Sequence, residues 1–172
     1  MCHASFGENT FLKSLGRPLP SVSASATTPP GATRNVKGDR GIPYTAARAL
    51  SADEIRSRLV EDFVLAARNA KKAGFDFVEI HSAHGYLFDQ FFCSTTNLRT
   101  DEFGCQNLEN RTRALGLVLR AVIKEMGGPE RVGIRISPTN SSFAYQGCAD
   151  ATPDKTYKGN QCVWCFSHLK AL

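Results

Sequence analysis

Two histidines and a tyrosine, His81, His84 and Tyr86, fall within six positions directly after a short apolar run. Imidazole N–H groups that converge on one oxygen stabilise negative charge developing there, and a phenol beside them can deliver a proton. Together the three groups describe polarising a carbonyl and protonating the carbon next to it. Two plainer readings stand beside this one. His81 can be a strand-end histidine satisfied by backbone, with His84 solvated and Tyr86 a packing residue. His81 and His84, three apart, can also begin a metal site, but a catalytic zinc takes three protein ligands and local spacing indicates no third. No metal is assigned to them.

Side chains of this kind need a strand to carry them, and residues 75–80 supply an aromatic and β-branched run ending at Ile80. A helix over 52–73 precedes it. Ser51-Ala52-Asp53-Glu54 is a capping box at its start; Ile55, Leu59, Phe63, Ala66, Ala67 and Ala70 form an apolar stripe, and Lys71, Lys72 and Gly74 close it. A second helix over 108–126 buries Leu115, Val118, Leu119, Val122, Ile123 and Met126 and ends at Gly127-Gly128-Pro129. A strand over 132–136 follows and is stopped by Pro138. Helix, strand, helix, strand is the pattern of a parallel sheet, with right-handed crossover as the default. In such sheets the site lies beyond the carboxyl ends of the strands, where His81, His84 and Tyr86 stand.

The chain divides into an arm over 1–50, βα units over 51–140 and a divergent tail over 141–172. In the arm a short strand is expected at 11–15, then an irregular connection over 18–48 that carries five prolines. Of the net charge of +5, most sits in the arm, which has six cationic residues against two acidic ones. Nucleic-acid binding would call for aromatics interleaved with clustered basic residues, and the arm offers only Phe6, Phe11 and Tyr44. No nucleic-acid partner is expected. No apolar run approaches the ~20 residues that span a bilayer, and residues 1–10 lack the regions of a signal peptide. The expectation is a cytoplasmic protein with no membrane partner and six mostly free cysteines; no oligomeric state can be read. Cys162, Cys165, His168 and Cys148 form an alternative, a zinc-binding tail module, although Cys148 lacks the close partner that such modules use.

Four blocks of residues resemble the old yellow enzyme family of FMN-dependent ene-reductases. The longest is Ala73-Gly74-Phe75-Asp76-Phe77-Val78-Glu79-Ile80-His81-Ser82-Ala83-His84-Gly85-Tyr86-Leu87-Phe88-Asp89-Gln90-Phe91. The others are Asn97-Leu98-Arg99-Thr100-Asp101-Glu102-Phe103-Gly104, Leu108-Glu109-Asn110-Arg111 and Arg131-Val132-Gly133-Ile134-Arg135-Ile136-Ser137-Pro138. The resemblance covers roughly 46–140 strongly and the stretch around Leu15-Gly16-Arg17 and Val22-Ser23-Ala24-Ser25 more faintly. It implies a (β/α)8 TIM barrel carrying FMN at the carboxyl ends of the strands. It also implies that NADPH reduces the flavin and that hydride then passes to the β-carbon of an α,β-unsaturated carbonyl compound, a small-molecule enone. By the same resemblance His81 and His84 bind the substrate carbonyl, Tyr86 donates the proton to the α-carbon, and Arg135 contacts the flavin, where its fixed cation stabilises the reduced ring.

Such a barrel takes about 250 residues, and this chain supplies about three of eight strands. The resemblance places the first two strands, with a flavin-contacting threonine, ahead of this sequence, and the phosphate site after it. Residues 11–17 lack the family's flavin-contacting glutamine and tryptophan. Gly104-Cys105-Gln106-Asn107-Leu108 has a single glycine where the family has a pair, and is one residue longer than the family pattern. An FMN-dependent NADPH dehydrogenase, impaired or inactive as a truncated chain, is the expectation. The alternative is a non-catalytic fragment that associates through open strand edges.

Overall fold

A computed structural model describes residues 21–28, 32–33, 42–43 and 46–137. The strand expected at 11–15, Pro138 and the tail with Cys148, Cys162, Cys165 and His168 lie outside the described residues. In chain order the elements begin with four two-residue strands, β1 (Val22–Ser23), β2 (Ala32–Thr33), β3 (Ile42–Pro43) and β4 (Arg48–Ala49). β1 pairs in parallel with β4, and β2 antiparallel with β3. The stretch expected to be irregular thus contains short pairings. A ladder of two residues needs few amides, and Pro43 sits at the end of its strand, where a missing donor is tolerated.

The capping box forms as expected. The Glu54 amide donates to Ser51 Oγ at 3.1 Å and the Ser51 amide donates to Glu54 Oε2 at 2.9 Å. α1 (Ala52–Glu54) leads into a π-helical turn, Ile55–Leu59, and α2 (Val60–Lys72) continues it. Ile55, Leu59 and Ala67 are buried with Phe63 half-buried, so the inward face steps by four, whereas Ala66 is exposed. Steps of four overrun a regular α-helical turn, and the wider π turn absorbs part of that drift.

α2 ends in a Schellman motif. Gly74, at φ +89°, donates to Lys71 O at 3.1 Å, and the Phe75 amide donates to Ala70 O at 3.1 Å. Phe75 is therefore used by the helix end, and β5 (Val78–His81) starts three residues later than the composition indicates. α3 (Leu87–Phe92), a helix not expected from the sequence, follows the histidine segment. α4 (Leu108–Met126) is capped by Asn107, whose Oδ1 accepts from the Asn110 amide at 2.8 Å, and ends at Gly127 with φ +96°. After a 3-10 turn, Pro129–Arg131, comes β6 (Val132–Arg135).

β5 and β6 are parallel, with Val78 opposite Val132, Ile80 opposite Ile134 and His81 opposite Arg135. Val78, Ile80, Val132 and Ile134 turn toward a core shared with α2, α3 and α4, where Phe88, Phe91, Leu115, Val118 and Met126 are buried. Phe63 and Phe88 pack with rings tilted at 51° and centroids 5.2 Å apart, and Arg68 of α2 bridges Glu125 of α4 at 2.9 Å. That pairing lowers the Glu125 carboxyl below its ordinary range and raises Arg68. Glu79, His81, Gly133 and Arg135 occupy the opposite, exposed face. A parallel pair with helices packed on one side agrees with the partial α/β barrel expected from the sequence.

Candidate active site

His81 is the last residue of β5, and the chain turns sharply there before α3 begins. His84 has φ +58°, a left-handed conformation that costs most side chains about 1 kcal/mol or more. Gly85 follows at φ +75°, and Tyr86 is extended at the N-cap of α3. This turn brings the three rings together. The centroids of His81 and His84 are 5.8 Å apart and those of His81 and Tyr86 are 5.2 Å apart. His81 is exposed, while His84 and Tyr86 are half-buried. Arg135, the fourth residue expected at the site, stands opposite His81 on the exposed face.

The arrangement offers imidazole donors, a phenol and a permanent cation along one open strand end. This donor set fits a flat cofactor that gains negative charge on reduction, next to a substrate that presents a carbonyl oxygen. Gly133 keeps the sheet low beside Arg135, and among the described residues a Cβ there would meet only Val78 O, at 3.9 Å. Among the described residues no group of three His, Cys, Asp or Glu side chains could hold a metal ion, and no helix is long and apolar enough to cross a membrane.

Around the rings lies a buried polar layer that sequence reasoning missed as a unit. The His84 amide donates to Ser137 Oγ at 2.7 Å. The Gly85 amide donates to Asp89 Oδ2 at 2.7 Å, and Gly85 O accepts from Gln90 Nε2 at 2.7 Å. Ser23 Oγ of β1 in turn donates to Gln90 Oε1 at 2.6 Å. The signal was present as polar residues inside an apolar helix, Asp89 and Gln90 within Leu87–Phe92; Gly85 is a local partner of both, whereas Ser23, which holds Gln90, lies 67 residues away.

The far end of α3 is fixed in a similar way. Asn97 Nδ2 donates to Phe91 O at 2.9 Å and to Phe103 O at 2.8 Å, and the buried Arg111 donates to Phe92 O at 2.7 Å, placing a cation at the helix C-terminus. Arg99 donates to Ala24 O at 3.0 Å and pairs with Asp101, holding that carboxyl below its usual range. These bonds fasten the loop after α3 to the end of that helix and to the β1 segment.

The profile of the NADH:flavin oxidoreductase / NADH oxidase family matches residues 8–163. The chain is 51% identical over 115 residues to the putative 12-oxophytodienoate reductase 2 of Oryza sativa subsp. japonica, which covers 67% of this chain and 29% of that protein. It is 53% identical over 112 residues to 12-oxophytodienoate reductase 2 of Arabidopsis thaliana, covering 64% of this chain and 28% of the relative. Among solved structures, the old yellow enzyme homologue from Zymomonas mobilis superposes with a TM-score of 0.72 at 40% identity, over 88% of this chain and 40% of that one. Morphinone reductase in complex with tetrahydroNAD superposes with a TM-score of 0.71 at 37% identity, over 89% of this chain and 40% of that one. The chain spans under a third of the length of the curated relatives named here. FMN and a reduced nicotinamide, the cofactors expected from the sequence, agree with this family. The chain belongs to the NADH:flavin oxidoreductase / NADH oxidase family, as a partial member of its old yellow enzyme branch.

Proposed function

We propose that this chain carries the carbonyl-binding and proton-donating part of an FMN-dependent NADPH dehydrogenase that reduces the C=C bond of α,β-unsaturated carbonyl compounds. The observation that carries the reading is the cluster of His81, His84 and Tyr86 at the end of β5, with Arg135 opposite His81. A bound flavin, replenished by NADPH, would supply the hydride. His81 and His84 donate N–H groups to the substrate carbonyl, so that electron density leaves the β-carbon and charge builds on the oxygen they hold. Tyr86 releases its phenolic proton to the α-carbon and regains one from solvent. Arg135 would hold the flavin ring and place a fixed positive charge beside it.

The isolated 172 residues bind FMN weakly or not at all, because the face that would enclose the ring is exposed at Glu79, His81 and Arg135. A flavin absorbance spectrum of the purified chain tests this, and one FMN per chain would refute it. The chemistry is tested by grafting residues 46–137 into a full-length relative and following NADPH-dependent reduction of 2-cyclohexenone. Turnover that survives the graft and drops by about a hundredfold in Tyr86→Phe supports the assignment; a graft that binds FMN yet whose turnover is indifferent to His81, His84 and Tyr86 refutes it.

A second reading is a non-catalytic chain that associates with another protein. The exposed Phe75 and Phe77, 62% and 68% accessible ahead of β5, favour it.

A further inference from the structure

We infer that Ser137, Asp89 and Gln90 are positioning residues that hold the imidazole of His84 beside that of His81. The inference rests on the functional reading above only for what the paired imidazoles bind. His84 occupies a backbone region at φ +58° that L-residues adopt only at a cost, one that neighbouring bonds can offset. Those bonds are present on both sides of the turn. Ser137, beyond β6, accepts from the His84 amide; Asp89 accepts from the next amide, and Gln90 donates to the next carbonyl, each at 2.7 Å. All three side chains are buried, at 6%, 2% and 2% exposure. Gln90 cannot turn away easily, because its other end accepts from Ser23 Oγ, itself 3% exposed.

Two of the contacts come from α3 and one from the segment just after β6, and the buried hydroxyl of Ser23 in β1 fixes Gln90, so the turn is held from three separate stretches of the chain. The two bonds at Gly85 are buried and the one at His84 is half-buried, so water replaces them poorly, and loss of one frees the backbone group it held. With φ released at His84, the chain relaxes toward ordinary backbone and carries the imidazole away from His81. Ser137 stands two residues beyond Arg135, the last residue of β6, so the histidine pair and the cation are referenced to one piece of backbone.

The test uses the full 172-residue chain, isotope-labelled, as wild type, Ser137→Ala, Ser137→Thr and Gln90→Met. Two readouts are taken by NMR: amide exchange at His84 and Gly85 relative to α4, and ring-to-ring contacts between His81 and His84. Ser137→Ala and Gln90→Met are expected to speed exchange in the turn at least tenfold with α4 unchanged and to abolish the ring contact. Ser137→Thr, which keeps the hydroxyl, restores both. Unchanged turn exchange and ring contact in both Ser137→Ala and Gln90→Met overturn the inference, as does acceleration shared equally by α4. Addition of 2-cyclohexenone to a wild-type graft loaded with FMN separates the two proposals. Imidazole resonances that ignore the enone, while the variants still loosen the turn, leave the positioning role standing and remove the functional reading.

Discussion

His81 and Arg135 are Cα partners across the parallel pair β5–β6, and both lie on the exposed face. The proposed carbonyl donor and the proposed flavin contact are thereby set one strand spacing apart, about 4.8 Å. In the grafted barrel, Arg135→Met is expected to lower FMN affinity by about tenfold to a hundredfold, the worth of a charged hydrogen bond, and Arg135→Lys to recover part of it. Fluorescence titration of FMN reads this. Equal affinity in all three proteins would remove Arg135 from the cofactor site.

Ser82 is 1% exposed and its hydroxyl has no hydrogen-bond partner among the described residues, although its amide donates to Arg135 O at 2.9 Å. A buried hydroxyl without a partner costs about 1–3 kcal/mol. Ser82→Ala is therefore expected to raise stability by about 1 kcal/mol, seen as a higher urea midpoint at unchanged slope. A lower midpoint would show that the hydroxyl has a partner in solution.

Glu54 joins the capping box to Arg48, and the Arg48 hydrogen bond, aided by the Ser51 amide, holds its carboxyl down at about 2. A carboxyl whose folded value lies below its unfolded one, about 4.3, stabilises the fold fully above that value. Its contribution is lost as pH falls toward about 2. Thermal melts between pH 5 and 2 should show Glu54→Gln losing less stability than the wild type. The difference should shrink in high salt, because the pair is partly exposed.

Gly74 and Gly104 resist substitution for different reasons. At Gly74 a Cβ meets nothing within 4 Å, so Gly74→Ala pays only for φ +89°, about 1 kcal/mol. At Gly104 the same Cβ falls 2.3 Å from the Arg99 carbonyl oxygen, so the loop must move. Gly104→Ala is expected to be the more damaging, and chemical denaturation of both variants checks the order. Gly74→Asn, which tolerates the left-handed region, should recover part of its loss.

Much of the scaffold could be read from spacing. The helix over 108–126 follows its apolar repeat to the residue, and the capping box at Ser51 forms as its four letters require. These features depend on neighbours within one or two turns. The pairing of β1 with β4 does not, since it joins separate stretches of the chain. The start of β5 is set by the helix before it, where the Schellman bond from the Phe75 amide to Ala70 O takes Phe75 out of the strand. At the site, the proximity of the His81, His84 and Tyr86 rings was legible because six residues carry all three. The support from Ser137 and Ser23 was not, since it reaches across 53 and 67 residues of sequence.

A left-handed turn at position 84 also limits which side chains can stand there. Outside glycine, that backbone region is visited chiefly by asparagine, aspartate and histidine. Aspartate, ionised at neutral pH, has no proton to offer an oxygen. The bend in the main chain thus leaves an imidazole or a carboxamide as the donors available at this spot, and an evolving sequence could exchange one for the other without rebuilding the strand beneath.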